Sequence, residues 1–273
     1  MTPMQGAVQI GIIGGGAMAE ALVAGLLHAG TVPPSHISVS EHKAMRCDEL
    51  VRKYGIRAQV GAESFLPRID LLILAIKPAA AAAAMRETAP HLKRDALVLS
   101  IVAGLPLAEI EAAYPDQPVI RAMPNTPLAV GAGMSAYACG THADETAAER
   151  AEMVLGAAGR TVRVHEGDLD AVTGLSGSGP AYTFLVMEAL VEGGVAAGLK
   201  RETAALLAAQ TLLGAAQMAL TAACSPADLR AAVTSPAGTT AAGLRVIERA
   251  GVRSALIEAV LAATERSREL GRK

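Results

Sequence analysis

The stretch that most limits what this chain can fold into is VQIGIIGGGAMAEALVAGLL, residues 8–27. An apolar run from Ala7 to Ile13 meets three consecutive glycines, after which Met18, Leu22, Leu26 and Leu27 recur at helical spacing. The pattern predicts a strand, a tight turn and a helix. Gly14, Gly16 and Ala19 fit G-x-G-x-x-A. In such a turn the first glycine allows the reversal, the second leaves room for a pyrophosphate, and the small third residue lets the helix pack close to the strand. Amides at the helix start then hold the anion. Structural glycine turns and methyltransferase loops look alike, so the motif needs support from the rest of the chain.

A dinucleotide site calls for an acidic residue roughly 20 residues on, at the end of the second strand, to bind the ribose hydroxyls. Glu41, after Ile37–Ser40, stands there. Its neighbours His42, Lys43 and Arg46 suit a ribose 2′-phosphate instead, which leaves NADH and NADPH both open. A solvated turn is the plain alternative for Glu41.

As far as residue 164, short apolar runs alternate with helical stretches, the pattern of a parallel sheet covered on both faces. Strands are predicted at Ala7–Ile13, Ile37–Ser40, Arg57–Val60, Leu71–Ile76, Ala96–Ile101, Val119–Ala122, Gly133–Ala138 and Thr161–Val164. Ligands of such sheets lie beyond the carboxyl ends of the strands. Three of those ends carry unusual residues: Lys77 and Pro78; Val102, Ala103 and Gly104; and Met123 to Pro127. Prolines and small residues there would make a rigid wall around a flat ring. Pro78 can equally open a helix over Ala79–Ala84, and the Pro124–Pro127 turn can be a stiff connection and nothing more.

Beyond 164 the strand pattern stops. Helices are predicted at Ser178–Leu199, Arg201–Thr221, Ala227–Val233, Thr240–Ala250 and Arg253–Leu270, so the chain divides into domains 1–164 and 165–273. The first two helices are apolar almost all round, more surface than this half can cover alone, which predicts an intimate homodimer. The window 203–227 has no charged residue and is long enough to span a bilayer, but Gln210, Gln217 and Gly214 favour a helix buried in protein. The segment Leu175–Pro180, LSGSGP, reads as a tight joint between domains or a plain loop.

TSPAGTT, residues 234–240, is the second constellation. Ser followed by Pro signals a helix start, with Ser235 as cap and Pro236 at the first helical position. Gly238, Thr239 and Thr240 would then present amides and hydroxyls at a positive helix end, a site for a small carboxylate. An ordinary capped helix is the competing reading.

Composition narrows the partners. A net charge of −2, 2% aromatic residues and no Trp argue against nucleic acid. The three cysteines, Cys47, Cys139 and Cys224, lack C-x-x-C spacing, which argues against a metal cluster or a disulfide framework and for a reducing cytoplasm. The N-terminus shows no export signal.

The motifs GGGAMAEA, AIKP, SIVAG, MPNTP with GAGM, LSGSGPAY and TSPAGTTAAGL occur in an order that resembles the pyrroline-5-carboxylate reductase family, from Gly11 to Glu269. The resemblance implies an α/β chain in which an N-terminal Rossmann domain, a doubly wound and mostly parallel sheet, precedes an all-helical dimerisation domain. It implies reduction of the cyclic imine 1-pyrroline-5-carboxylate by NADPH or NADH. Carried over to this sequence, Ile13, Gly14, Gly15, Gly16, Ala17 and Met18 would hold the pyrophosphate, and Ala75, Ile76, Lys77 and Pro78 would line the cofactor. Val102, Ala103 and Asn125 would sit near the nicotinamide, and Glu166 would approach the cofactor. Ser235, Gly238 and Thr239 would bind the substrate carboxylate, with Thr240 catalytic and facing the ring nitrogen.

The sequence departs from the family pattern at Ala237, where a glycine is usual, at Ala231 and Ala232, where an acidic residue is common nearby, and at Glu41, where the usual residue is neutral. Two rivals remain at this stage, another imine or hydroxy-acid reductase of similar build and a dinucleotide sensor without turnover. None of the six histidines lies in a motif. A hydroxy-acid enzyme ordinarily needs a Lys or His acid beside its carbonyl.

Overall fold

The apolar runs pair into one sheet. In the computed structural model, which describes residues 8–271, the strands are β1 (Ile10–Ile13), β2 (Ile37–Ser40), β3 (Arg57–Gln59), β4 (Leu71–Leu74), β5 (Leu97–Ser100), β6 (Val119–Met123), β7 (Gly133–Cys139) and β8 (Gly159–Arg163). Every residue of β1, β4 and β5 is buried, as strands covered on both faces require. Of the first predicted strand, Ala7 lies outside the described residues.

The sheet order is β3-β2-β1-β4-β5-β6-β7-β8. All pairings are parallel except β6 with β7. The order reverses between β1 and β4, and that is where a sheet of this kind opens a crevice. Register brings Ile13 level with Ser40 on one side and Leu74 on the other. The ladder continues one residue further: Gly14 N–H donates to Ser40 O at 2.8 Å and Ala75 N–H to Ile13 O at 2.9 Å. The loops that begin at Gly14, Glu41 and Ala75 therefore leave the sheet side by side.

Helices α1 (Ala17–His28), α2 (Ala44–Tyr54), α3 (Pro78–Thr88), α4 (Leu107–Ala113), α5 (Glu145–Gly156) and α6 (Leu169–Val172) accompany the strands. α1 buries Ala19, Leu22, Val23 and Leu26 in a cluster shared with Ile10 and Ile12 of β1, so the amphipathic spacing seen in sequence is the packing face. Pro78 does open α3, at its first position.

The chain divides into two compact units. One runs to Gly177 and takes the chain up again from Ala262; the other is Ser178–Leu261. The first unit thus extends beyond residue 164, because the segment after β8 folds back: Leu169 is buried, and Asn125 Nδ2 donates to Ser176 O at 3.2 Å. The stretch expected as a joint or loop is partly helical. Thr173–Gly177 is a π-helical turn, and Gly179 already begins the next helix.

In the second unit α7 (Gly179–Ala196) and α8 (Arg201–Thr221) pack against one another, followed by α9 (Pro226–Ala232), α10 (Thr239–Arg249) and α11 (Val252–Gly271), the last of which ends in the first unit. In α8 only Ala204 and Ala208 are buried, while Leu206 is 70% and Leu207 52% exposed. By length and composition α8 is long and apolar enough to cross a membrane.

One sequence expectation fails here. Ser235 does not cap a helix and Pro236 is not its first residue; α10 starts at Thr239 with Gly238 as its cap. The Ser-Pro start occurs instead at α9, where Ser225 Oγ accepts from Asp228 N–H at 3.2 Å and Asp228 returns a bond to the Ser225 amide. Asp at the third position closes that capping box; the corresponding residue after Ser235 is Gly238, with no side chain to do so.

Candidate active site

The crevice at the sheet reversal is a cleft of about 630 Å³ whose lining includes Ile13, Gly14, Gly16, Glu41, Ala75, Ile76 and Lys77. That volume lies within the range of sites for cofactors and small ligands. Gly14 has φ +98°, and a Cβ on it would lie 2.5 Å from the Ala75 carbonyl oxygen, so the turn closes only without a side chain. Gly16 caps α1 with no side-chain bond, and a Cβ on it would meet nothing within 4 Å. The first-turn amides of α1 lack intrahelical partners beside this open space, as phosphate binding demands. The loop therefore fits a dinucleotide pyrophosphate. Ala17 and Met18 lie in that first turn, Ala17 exposed and Met18 against the core.

Glu41 fixes the loop from the side. Its Oε2 accepts the Gly15 N–H at 2.9 Å and its Oε1 the Lys43 N–H at 3.2 Å. Burial pushes the carboxyl up, but these amides and neighbouring His42 outweigh it and hold the group below its usual range. Arg46 stands behind: its Nε donates to Gly15 O at 2.9 Å, and its remaining nitrogens pair with Glu49 and Glu20.

Eight of the expected cofactor residues, Gly15, Ala17, Met18, Pro78, Val102, Ala103, Asn125 and Glu166, lie outside the cleft lining. Val102 is buried, its N–H on Ser100 Oγ at 3.3 Å, and Ala103 is exposed. Asn125 spans two segments, accepting from Met134 N–H at 2.9 Å while donating to Ser176. Glu166 is paired with Arg121. Pro78 starts α3 beside Lys77, also without facing the cleft. Conversely, Ala80 and Ala84 of α3 and Val60 after β3 line it and were not anticipated. The sequence holds no sign of which alanines face the cleft, because the unbroken run Ala79–Ala84 puts alanine on every face of α3.

The second constellation forms a turn and a helix start. Gly238 N–H returns to Ser235 O at 3.1 Å, with Ala237 between them at φ +56°, the one positive-φ residue other than glycine among the described residues. A residue with that backbone cannot lie in a helix, so α10 must begin after it. Gly238 has no side-chain cap bond, and Ser235, Thr239 and Thr240 are exposed. Uncapped amides and two hydroxyls at one helix end have the chemistry to accept an anion such as a carboxylate.

Sheet topology, glycine turn and cleft define a Rossmann-type dinucleotide-binding oxidoreductase with an added helical unit. Residues 9–104 match a family model described as NADP oxidoreductase, coenzyme F420-dependent, and residues 166–270 one described as pyrroline-5-carboxylate reductase dimerisation. The pyrroline-5-carboxylate reductase of Synechocystis sp. is 46% identical over 97% of this chain and 99% of its own. A solved reductase structure from Coxiella burnetii superposes with TM-score 0.91 at 36% identity, covering 98% of this chain and 100% of that one. The Plasmodium falciparum pyrroline carboxylate reductase, solved with NADP bound, has TM-score 0.87 at 28% identity, covering 97% of this chain and 98% of that one. The chain belongs to the pyrroline-5-carboxylate reductase family.

Proposed function

We propose that this protein reduces 1-pyrroline-5-carboxylate to L-proline, the closing step of proline biosynthesis. NADH or NADPH, which the glycine turn at Gly14–Gly16 and Glu41 would hold, would supply the hydride. The Thr239 amide and the Ser235 hydroxyl hold the substrate carboxylate beside Gly238, whose own N–H closes the turn on Ser235 O, and the Thr240 hydroxyl accepts from the ring N–H. The cyclic imine takes its proton in water, so the iminium carbon accepts hydride while the C=N electron pair moves to nitrogen. What the chain contributes is the positioning of two rings. The observation that carries this reading is the presence, in a chain alignable with a Synechocystis reductase over 97% of its length, of both an anion-ready glycine loop and an uncapped helix start at Gly238.

The helical unit is proposed to complete itself by pairing with a second copy. Phe184 and Leu185 on α7 and Leu206 and Leu213 on α8 are each at least half exposed within one chain. Burying the exposed part of each would contribute roughly 1–2 kcal/mol. That pairing, rather than a membrane, is the proposed cover for α8, and light scattering should give at least a dimer at micromolar concentration. The free cysteines, Cys47, Cys139 and Cys224, suit a reducing cytoplasm.

Following NAD(P)H absorbance with 1-pyrroline-5-carboxylate tests the activity. Rapid oxidation that depends on the imine is expected. Oxidation with hydroxy- or oxo-acid partners and none with the imine would overturn the reading.

A further inference from the structure

The choice between the two nicotinamide cofactors is made at the ribose end of the cleft, where Glu41 follows β2. Its carboxylate is 9% exposed and held by two backbone N–H groups, Gly15 and Lys43. Such a group does not swing away as a surface glutamate would. Oε1 also meets His42 Nδ1 at 2.5 Å, whereas Oε2 carries the Gly15 N–H and keeps a lone pair for a ribose hydroxyl.

The nearby cations do not offset it. Arg46 is already committed to Glu20, Glu49 and the Gly15 carbonyl, and Glu20 also binds Lys53 at 2.8 Å. Around the cleft, Glu41, Glu63 and Glu87 stand against Lys43 and Lys77, and His42, 80% exposed at the rim, is turned onto Glu41 Oε1 and so is itself engaged. A hydroxyl pair can donate to a fixed carboxylate. A phosphate can only be repelled by it.

We infer that this enzyme uses NADH in preference to NADPH, and that Glu41 is the residue that makes the choice. The inference rests on the reductase reading only for its kinetic arm, because dinucleotide affinity is measurable without substrate.

Titrating the purified protein with each reduced dinucleotide, by nicotinamide fluorescence or calorimetry, should give a Kd for NADH about tenfold or more below that for NADPH. The kcat/KM ratio with the imine should favour NADH in the same sense. Glu41→Gln keeps an oxygen for the loop amide and removes the charge; it should reduce the preference about tenfold, and Glu41→Ser should reverse it. Melting curves establish that each variant is folded, and Glu41→Gln carries the test if Glu41→Ser is not. Tighter binding of NADPH by the native protein overturns the inference. So does a preference for NADH that survives intact in folded Glu41→Gln. Discriminating binding without imine reduction would leave this inference standing and remove the proposed reaction instead.

Discussion

Arg121 donates through Nη1 to Glu166 Oε1 at 2.9 Å, and the same oxygen receives the Leu107 N–H at 2.7 Å. Glu166 thereby joins the segment after β8 to β6 and to the first turn of α4. The Arg121 side chain is only 13% exposed. Removing the partner of a cation so far withdrawn from water costs more than a surface pair is worth. Glu166→Ala should destabilise the protein by about 2–3 kcal/mol, seen in chemical unfolding, with dinucleotide Kd changed less than about threefold. A large rise in Kd without loss of stability would place Glu166 on the cofactor.

The turn before α10 carries strain that a single atom group causes. Pro236 and Ala237 occupy its central positions, and the second of them, at φ +56°, is where glycine is favoured. The left-handed conformation costs an L-residue about 1–2 kcal/mol, partly offset by the greater freedom glycine loses on folding. Ala237→Gly should therefore stabilise by about 0.5–1 kcal/mol, raising Tm by roughly 1–4 °C. A lowered Tm would mean that the methyl group makes contacts worth more than the strain.

Thr240→Ala should lower kcat by about 10- to 1,000-fold, the loss of the hydroxyl that accepts from the iminium N–H and positions the ring, with KM for the imine affected less. Thr240→Ser, which keeps the hydroxyl, should recover most of the rate. Unchanged turnover of the alanine variant at saturating imine removes Thr240 from the reaction.

Glu20 on α1 accepts from Lys53 at 2.8 Å, from Arg46 and from Tyr54 at 2.9 Å, all on α2. Lys53 first and then Arg46 hold its carboxyl down at about 2, from an ordinary 4.5. Because the folded value lies below the unfolded one, the stability is fully present above the unfolded pKa and is lost as pH falls toward the folded one. It amounts to at most about 3 kcal/mol, since exposure of the lysine screens part of it. Glu20→Gln should melt below the native protein at neutral pH, with the gap closing between about pH 5 and pH 2. A gap that stays constant over that window would show that Glu20 stabilises by packing alone.

Local patterns were legible in the sequence and distant pairings were not. β1, the glycine turn and α1 follow from apolar spacing and three adjacent glycines, and the burial of Leu22 and Leu26 agrees with it. The two Ser-Pro pairs show where such reading needs one more residue: Asp228 three after Ser225 completes a cap, and Gly238 three after Ser235 does not. No short window reveals that Glu41 binds the Gly15 amide 26 positions back, or that Glu166 finds Arg121 across 45. Those pairings depend on which strands the sheet sets side by side, and they explain why Glu166 and Asn125 serve the first unit's own packing.

The glycine turn itself separates folding from binding. Gly14 has a left-handed backbone and a carbonyl oxygen where a Cβ would go, so Gly14→Ala must displace main chain at the end of β4. Gly16 has φ −72°, which any residue adopts, and open space where its Cβ would project. Gly14→Ala should cost about 2–4 kcal/mol in stability. Gly16→Ala should leave Tm within about 1 °C while raising dinucleotide Kd about tenfold or more, because the added methyl takes room reserved for the pyrophosphate. Melting and titration of both variants check the pair. If Gly16→Ala binds dinucleotide as well as the native protein, the pyrophosphate does not lie over this turn, and the cleft must hold its ligand by other groups.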